Sequence, residues 1–182
     1  MAPSWANSQP WRVYIATGET LEGIKKAHLA TAEQGIRGGA EFSTMHREDW
    51  DLKSRRNMSQ WMGGIQQFLG MENVSEYTDS QSHLFNAQAI VYLTIPKRSS
   101  YWTIYDLGAF SQTLMFSAYG RGLGSMPAYE TVKYPQMVRQ FMDISDEQTT
   151  AMGIALGYTD EKKLNDFVSD REDIEDMLEI KK

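Results

Sequence analysis

The stretch from residue 87 to residue 95 limits the possible folds of this chain more than any other segment. It has the sequence Ala-Gln-Ala-Ile-Val-Tyr-Leu-Thr-Ile and is followed by Pro96. β-branched and aromatic side chains favour extended backbone, and a proline removes the donor that a following ladder bond needs. A nearly continuous apolar run is typical of a strand that is covered on both faces. The sequence therefore predicts that this segment is a central, buried strand.

Helical periodicity is clearest in the middle of the chain. Residues 54–69 place Met58, Trp61 and Ile65 at the spacing of one helix face, which predicts an amphipathic helix. Gly70 follows directly and is suited to the C′ position that ends a helix. Both features together predict a helix whose C-terminal boundary is well defined.

The other elements are predicted with the same rules. Residues 105–119 carry apolar side chains around much of the helix, which predicts a core helix, and Thr20 is the predicted N-cap of a helix reaching about residue 34. Residues 40–53 have no clear period and are interpreted as a candidate mobile cover over a pocket. Further strands are predicted at 11–17 and 149–158, and further helices at 135–142 and 170–182. Because helices and strands do not alternate as regular βαβ units, we predict one α+β domain spanning residues 1–182.

Composition excludes several classes of function. The chain has 182 residues, of which 41% are hydrophobic, a size typical of one domain with a real core. No apolar run approaches the roughly 20 residues that span a bilayer. The formal net charge of −6 argues against binding to a nucleic-acid backbone. The absence of cysteine excludes disulfides, thiolate metal sites and a cysteine nucleophile, and it fits a reducing cytoplasm.

Motifs for side-chain catalysis are missing from the sequence. The glycines of residues 120–124 follow a predicted helix and lead to Pro127, whereas a Rossmann loop follows a strand and opens a helix. This run predicts a helix C-cap with a tight turn, or exposed backbone N–H groups that face a ligand. There is no Gly-x-Ser-x-Gly elbow and no Walker loop. The three histidines, His28, His46 and His83, share no metal-ligand spacing and are interpreted as surface or locally hydrogen-bonded side chains.

Two candidate binding features remain open from the residues alone. Ser4, Asn7 and Gln9 place three hydrogen-bonding side chains just before a predicted strand. They either hold a ligand on a rigid base or satisfy the backbone of their own loop. Arg171 is either a phosphate contact, for which a guanidinium is well shaped, or a solvated arginine in an acidic stretch.

Residues 3–11, Pro-Ser-Trp-Ala-Asn-Ser-Gln-Pro-Trp, resemble the Pro-Ser-x-x-Asn-x-Gln-Pro-Trp signature of the nitroreductase family. Residues 122–127, Gly-Leu-Gly-Ser-Met-Pro, are similar to the family's Gly-Ile/Leu-Gly/Asp-Ser-x-Pro turn. Residues 153–158 and the run Ser169-Asp170-Arg171 are similar to the family's last core strand and its C-terminal arginine. The resemblance runs over the whole chain.

The resemblance implies a fold and a site. The fold is α+β, with a central, mainly antiparallel sheet flanked by helices, in a domain-entwined homodimer with FMN at the interface. It implies that a backbone N–H of Tyr129 or Glu130 faces the reactive ring nitrogen, that Arg171 contacts the phosphate, and that Ser4 comes from the partner subunit. The cofactor-binding residues implied in this way are Ser4, Trp5, Asn7, Gln9, Pro127, Ala128, Tyr129, Glu130 and Arg171.

The reaction implied by the resemblance is hydride transfer. FMN carries the chemistry, so neither a catalytic side chain nor a metal is needed. NADH or NADPH reduces the flavin, and a nitroaromatic, quinone or similar acceptor then takes the hydride. The sequence does not choose between the two nicotinamides and does not name the physiological acceptor. We therefore expect a cytoplasmic enzyme that binds neither nucleic acid nor a membrane.

One departure from the family leads to an alternative. Family members carry a basic helix before the signature that binds the flavin phosphate, and the sequence given begins after it. We therefore expect a chain that is N-terminally truncated relative to the family. Each lost charge-assisted phosphate contact would weaken FMN binding by about tenfold to a hundredfold. The alternatives are an impaired or non-catalytic protein of this fold with weak FMN binding and, if the motifs match by accident, a binding module unrelated to flavin.

Overall fold

The computed structural model describes residues 1–181 and contains one four-stranded sheet. The strands are β1 (Arg12–Ala16), β2 (Ala89–Pro96), β3 (Gly124–Pro127) and β4 (Gln148–Gly157). They lie in the order β1-β2-β4-β3, and each neighbouring pair is antiparallel. This confirms the predicted α+β class, the antiparallel sheet and the three predicted strands. The short strand β3 was not predicted.

Strand β2 is the central buried strand that its sequence predicts. All its residues except the first and the last are buried. Ile90 and Tyr92 belong to one hydrophobic cluster, whereas Val91, Leu93 and Ile95 belong to a second. Because successive side chains of a strand point to opposite faces, one continuous apolar run supplies both cores.

Residues 1–181 form five α-helices. Their bounds are α1 (Gly18–Glu33), α2 (Leu52–Leu69), α3 (Val74–Ser82), α4 (Tyr101–Tyr119) and α5 (Pro135–Met142). Side chains of α1 and α5 complete the first cluster, and side chains of α4 complete the second. The predicted helix at 54–69 is confirmed: it begins two residues earlier, and Gly70 ends it with a φ of 85°. The predicted helix at 135–142 is also confirmed.

Two details of the predicted helices are wrong. Helix α1 begins at Gly18 with Thr17 as N-cap, not Thr20, because the chain turns directly after β1 at Gly18, whose φ is +52°. Helix α4 is not a core helix, since only three of its residues are buried. Tyr105 and Phe116 are 71% and 66% exposed. The sheet therefore covers only one side of α4, although apolar side chains surround much of this helix.

The predicted C-terminal helix is also wrong. Between residue 170 and residue 181 the structure has one 3-10 turn, Ile174–Asp176, and Lys182 lies outside the described residues. The predicted mobile cover is attached at its start, where the Glu41 carboxylate accepts hydrogen bonds from Arg139 and from the Thr150 N–H. For the rest of that segment, mobility stays a prediction.

The chain's internal contacts define two compact units. The first contains residues 1–44 and 78–159 and holds the sheet with α1, α4 and α5. The second contains residues 45–77 and 160–181 and holds α2. A single domain over the whole chain stays a prediction. No helix in residues 1–181 combines the length and the apolar character required to cross a bilayer.

Candidate functional site

The opening loop, residues 3–11, forms its own network of hydrogen bonds. The Ser4 hydroxyl accepts from the Gln9 backbone N–H at 3.1 Å, and Gln9 Nε2 donates to Asn7 Oδ1 at 3.2 Å. Ala6, Asn7 and Gln9 all have a positive φ, between 44° and 57°, which is uncommon for residues with a side chain. The Asn7 and Gln9 side chains contact each other, and Ser4 bonds the Gln9 backbone. All three satisfy part of their own loop, and the exposed Asn7 and Gln9 keep further donors and acceptors.

The opening loop is fastened to helix α4. The Trp5 backbone N–H donates to Asp106 Oδ2 at 2.9 Å, and Asp106 is buried. The Trp5 ring lies 5.2 Å from the Trp102 ring, which in turn meets Tyr105 edge-on at 6.5 Å. Sequence reasoning missed this role of Asp106, since the two partners of its hydrogen bond are 101 residues apart.

The turn after β3, residues 127–132, is attached to β4 by its backbone. The Ala128 N–H donates to the Gly153 carbonyl at 3.1 Å, and the Ala128 carbonyl accepts from Thr131 Oγ1 at 2.6 Å. Thr131 is buried. A Cβ on Gly153 would lie 2.7 Å from the Thr131 Cβ, so this glycine permits the close approach of turn and strand. The sequence predicts that glycines in this strand either weaken it or allow another backbone to come close, and what comes close to Gly153 is the Thr131 side chain.

Tyr129 and Glu130 open a short 3-10 helix, Tyr129–Val132. The first N–H groups of a helix have no partner inside the helix, so they are available to an external acceptor. The Tyr129 side chain is partly exposed, whereas Glu130 is more covered and pairs through Oε1 with Lys133 Nζ at 3.0 Å. Its second oxygen, Oε2, is buried and has no hydrogen-bond partner among the described residues.

His28 of α1 is buried. Its interpretation from the sequence as a surface or locally hydrogen-bonded side chain is wrong. His28 is 1% exposed, its ring lies 5.2 Å from the Tyr134 ring, and its Nδ1 has no hydrogen-bond partner among the described residues. Burial lowers the pKa of His28, the nearby Glu130 carboxylate opposes that shift, and Lys133 adds to it. His28 stands at helical spacing from the buried Leu21 and Ile24, which is the signal that would have predicted its burial. His46 is exposed, and His83 is half-buried with its Nδ1 2.9 Å from the Asp79 carbonyl oxygen, so both fit the interpretation of surface or locally hydrogen-bonded side chains.

Arg171 belongs to the second unit and is described within it. Its guanidinium donates to Ser169 Oγ at 2.7 Å and to the carbonyl of Asp170 at 2.8 Å, so the side chain folds onto its own loop. It lines a cleft of about 640 Å³ that also includes Arg56 and Trp61. The guanidinium is exposed and could exchange these partners for a phosphate, whose geometry it matches better.

The nine predicted residues thus fall into three groups. Ser4, Trp5, Asn7 and Gln9 share the opening loop, residues 127–130 share the turn on β4, and Arg171 stands in the second unit. No cluster of three or more His, Asp or Glu side chains in residues 1–181 is placed to bind a metal ion.

The sequence matches a known family and several characterised enzymes. The model of the family described as "Nitroreductase family" matches residues 1–158. A 4-nitrobenzoate reductase of Pseudomonas putida is 28% identical over 169 residues, covering 88% of this chain and 72% of that protein. A chloronitrobenzene nitroreductase of Comamonas testosteroni is 26% identical over 167 residues, covering 87% of this chain and 72% of that protein.

The fold matches solved structures along the whole chain. The FMN-dependent nitroreductase NfnB of Mycobacterium smegmatis, crystallised with NADPH, superposes with a TM-score of 0.89 at 20% identity. The match covers 100% of this chain and 83% of that one. The FMN- and NADPH-dependent NfnB of a Sphingopyxis strain gives 0.87 at 22% identity, with 100% and 84% covered.

Proposed function

This chain belongs to the nitroreductase family, and on that premise we propose that it is an FMN-dependent oxidoreductase. Its reductant is NADH or NADPH, and its acceptor is a nitroaromatic, a quinone or a similar electrophile. The observation that carries the proposal is the family match over residues 1–158, which includes both the opening loop and the turn after β3. The relatives described above reduce nitroaromatic compounds according to their names.

The residues of the first unit fit a flavin. A flavin ring needs a fixed donor beside its reactive edge, and the first N–H groups of the 3-10 helix at Tyr129 and Glu130 are such donors. The ribityl hydroxyls need mixed donors and acceptors, which Ser4, Asn7 and Gln9 supply from an exposed loop. The backbone donors of the turn thus suit the flavin ring, and the polar side chains of the opening loop suit the ribityl chain.

Each group of residues has a defined task in this proposal. When bound, FMN supplies the hydride chemistry. The Tyr129 or Glu130 N–H would stabilise negative charge on the ring. Pro127, which pairs with Ile154, and Ala128, which bonds to Gly153, hold those donors against β4. Ser4, Trp5, Asn7 and Gln9 orient the cofactor, and Arg171 binds its phosphate. The proposed location of the enzyme is the cytoplasm.

We further propose a homodimer in which a second copy of the chain covers the exposed side of α4. Tyr105, Phe116 and Tyr119 are 71%, 66% and 81% exposed on this helix. Contiguous exposed apolar side chains mark association surfaces. Sedimentation equilibrium should give twice the mass of the chain, and Phe116→Ser should shift the protein towards monomer. Leu52→Ser changes a side chain that is 78% exposed on α2, and this control should leave the dimer intact.

The visible spectrum tests the cofactor. The purified protein, or the protein after addition of FMN and gel filtration, should show flavin absorbance that bleaches anaerobically on addition of NADH or NADPH. Reoxidation by a nitroaromatic should restore the absorbance. A protein that carries no flavin absorbance after addition of excess FMN and gel filtration would contradict the proposal.

Riboflavin tests the role assigned to Arg171. Arg171→Met should weaken FMN binding by about tenfold to a hundredfold, because a charge-assisted contact to phosphate is lost. It should leave riboflavin binding unchanged, since riboflavin has no phosphate. Arg121→Met removes another exposed arginine, one bonded to Ser117, and should affect neither ligand. Equal losses for FMN and riboflavin in Arg171→Met would assign the phosphate to other residues.

A further inference from the structure

Two buried polar atoms near the turn after β3 lack hydrogen-bond partners among the described residues. They are His28 Nδ1 on α1 and Glu130 Oε2 in the turn. Buried polar side-chain atoms are normally partnered, so each unpaired atom needs an explanation. The Lys133 ammonium that pairs with Glu130 lies 5.6 Å from the centre of the Tyr134 ring, and that ring lies 5.2 Å from the His28 ring. The unpaired acceptor and the unpaired ring nitrogen therefore lie in the same part of the first unit.

The charged and titratable groups that face His28 are few. Glu130 and Lys133 face it from the turn and the residues after it, and Tyr134 packs against its ring. Lys133 is already paired with the other Glu130 oxygen at 3.0 Å. The two unpaired atoms are not hydrogen-bonded to each other. A neutral imidazole carries one N–H and one acceptor nitrogen, so His28 Nδ1–H can donate to Glu130 Oε2 through one bridging water.

We propose that His28 is a positioning residue that, together with Lys133, holds the Glu130 carboxylate and thereby fixes the backbone of the Tyr129–Val132 turn. The carboxylate then has a partner on each oxygen: Lys133, directly after the turn, on Oε1, and His28 of α1 on Oε2 through the bridging water. This inference rests on the proposed function, because the turn carries the N–H groups that we assign to the flavin. His28 does not touch the cofactor and acts through Glu130.

The arrangement couples the proton on His28 to the flavin site. Ligand binding at the turn changes the environment of Glu130 and thereby the proton affinity of His28. By thermodynamic linkage, protonation of His28 changes the ligand affinity by the same factor as the ligand changes the proton affinity. Burial already lowers the pKa of His28, so the neutral form prevails at pH 7 and the coupling appears as the pH is lowered.

The electrostatic part can be tested without cofactor. The chain contains three histidines, so the imidazole signals in a proton NMR titration can be assigned with His28→Gln and His83→Gln. We expect the His28 pKa to lie below its ordinary value of 6.5. Glu130→Gln should lower it further, and Lys133→Met should raise it. A His28 pKa that responds to neither variant would overturn the pairing.

The effect on ligand binding is tested with riboflavin affinity at two pH values, because riboflavin lacks the phosphate whose own titration at about pH 6 would mask that of His28. In the native chain the dissociation constant should differ by about fivefold or more between pH 5 and pH 8, and His28→Gln should remove most of that difference. His83→Gln is the matched control and should keep it. If His28→Gln does not fold by circular dichroism, Glu130→Gln replaces it. An unchanged pH dependence in the folded variant overturns the positioning role, whereas a native chain that binds no FMN refutes the proposed function and leaves the NMR test valid.

Discussion

The opening loop and the turn after β3 carry most of the predicted flavin contacts, and they are held in opposite ways. The opening loop is exposed and contains several residues with positive φ. It is attached to the rest of the first unit by the Trp5–Asp106 hydrogen bond and by a tilted contact between the Trp5 and Trp102 rings. The turn is joined to β4 through Ala128 and through the buried Thr131, which fits against Gly153.

This difference corresponds to the two parts of the proposed ligand. A donor that stabilises charge on a rigid ring must be fixed beforehand, because its reorientation during the reaction would cost free energy. A flexible ribityl chain is better met by side chains that exchange partners, since exposed hydrogen bonds are replaced by others at little cost. We therefore expect changes in the turn to affect stability and changes in the loop to affect mainly ligand affinity.

The largest effect is expected where the turn meets β4. In Gly153→Ala, the new Cβ would lie 2.7 Å from the Thr131 Cβ and 3.3 Å from Tyr92 Cδ1. Both neighbours are buried, so neither can move aside freely. Overpacking of this kind should lower the free energy of unfolding by about 3 kcal/mol, measured by urea denaturation.

Gly63→Ala is the control for the loss of glycine itself. Gly63 lies inside α2 and a Cβ there meets nothing within 4 Å. The substitution should stabilise the helix by about 0.5–1 kcal/mol. If Gly153→Ala were as harmless as Gly63→Ala, the turn would not be held by close packing on β4.

The next largest effect concerns the support of β4 by Glu41. Its carboxylate accepts from Arg139 Nε at 2.7 Å and from the Thr150 N–H. Burial raises the pKa of Glu41, but these hydrogen bonds and the Arg139 charge outweigh it, so the pKa lies below its ordinary value of 4.5. Glu41→Gln should cost about 2 kcal/mol at pH 7.

The pH dependence gives the sign of this effect. A carboxyl group whose pKa is lowered by folding stabilises the fold above its ordinary value, and that stabilisation is lost as the pH falls through the lower, folded value. The difference between native chain and Glu41→Gln in urea denaturation should therefore shrink below about pH 4.5. A difference that is constant from pH 7 to pH 3 would show that Glu41 acts through packing and not through charge.

Sequence patterns predicted the elements whose structure depends on residues close together in the chain. Residues 87–95 were recognisable because β-branched side chains favour a strand and because a continuous apolar run supplies two faces at once. The end of α2 was recognisable because Gly70 adopts a positive φ that other residues avoid. Helix α4 was misjudged, since periodicity locates apolar side chains without telling whether the sheet or another surface covers them.

The candidate site was predictable only in part. The motif residues could be named, but the contacts that hold them join distant parts of the chain, as Trp5 and Asp106 do. The pairing of Thr131 with Gly153 likewise depends on how the turn meets β4. Only the burial of His28 had a local signal, its spacing from Leu21 and Ile24 on one face of α1.

The anchor of the opening loop should give a moderate effect. Asp106→Ala removes the acceptor of the Trp5 N–H, a charge-assisted hydrogen bond of 2.9 Å. The free energy of unfolding should fall by about 1.5 kcal/mol, and FMN affinity should fall with it. Hydrogen exchange at the Trp5 amide should become faster, whereas exchange at the Ala128 amide, which bonds to Gly153, should stay slow. Asp106→Asn keeps an oxygen acceptor, so its free energy of unfolding should lie between those of the native chain and of Asp106→Ala. Equal loss of protection at both amides would mean that loop and turn are not held independently.

The smallest effect on stability is expected inside the opening loop. Ser4→Ala removes the acceptor of the Gln9 N–H, but this bond is exposed and water can replace the hydroxyl. The free energy of unfolding should change by less than about 0.5 kcal/mol. FMN affinity should still fall by about fivefold, because a hydroxyl that contacts the ligand contributes roughly 1 kcal/mol. Ser8→Ala changes the neighbouring exposed serine and should alter neither quantity. If Ser4→Ala lowered stability as strongly as affinity, the loop would be a structural element and not the adaptable half of the site.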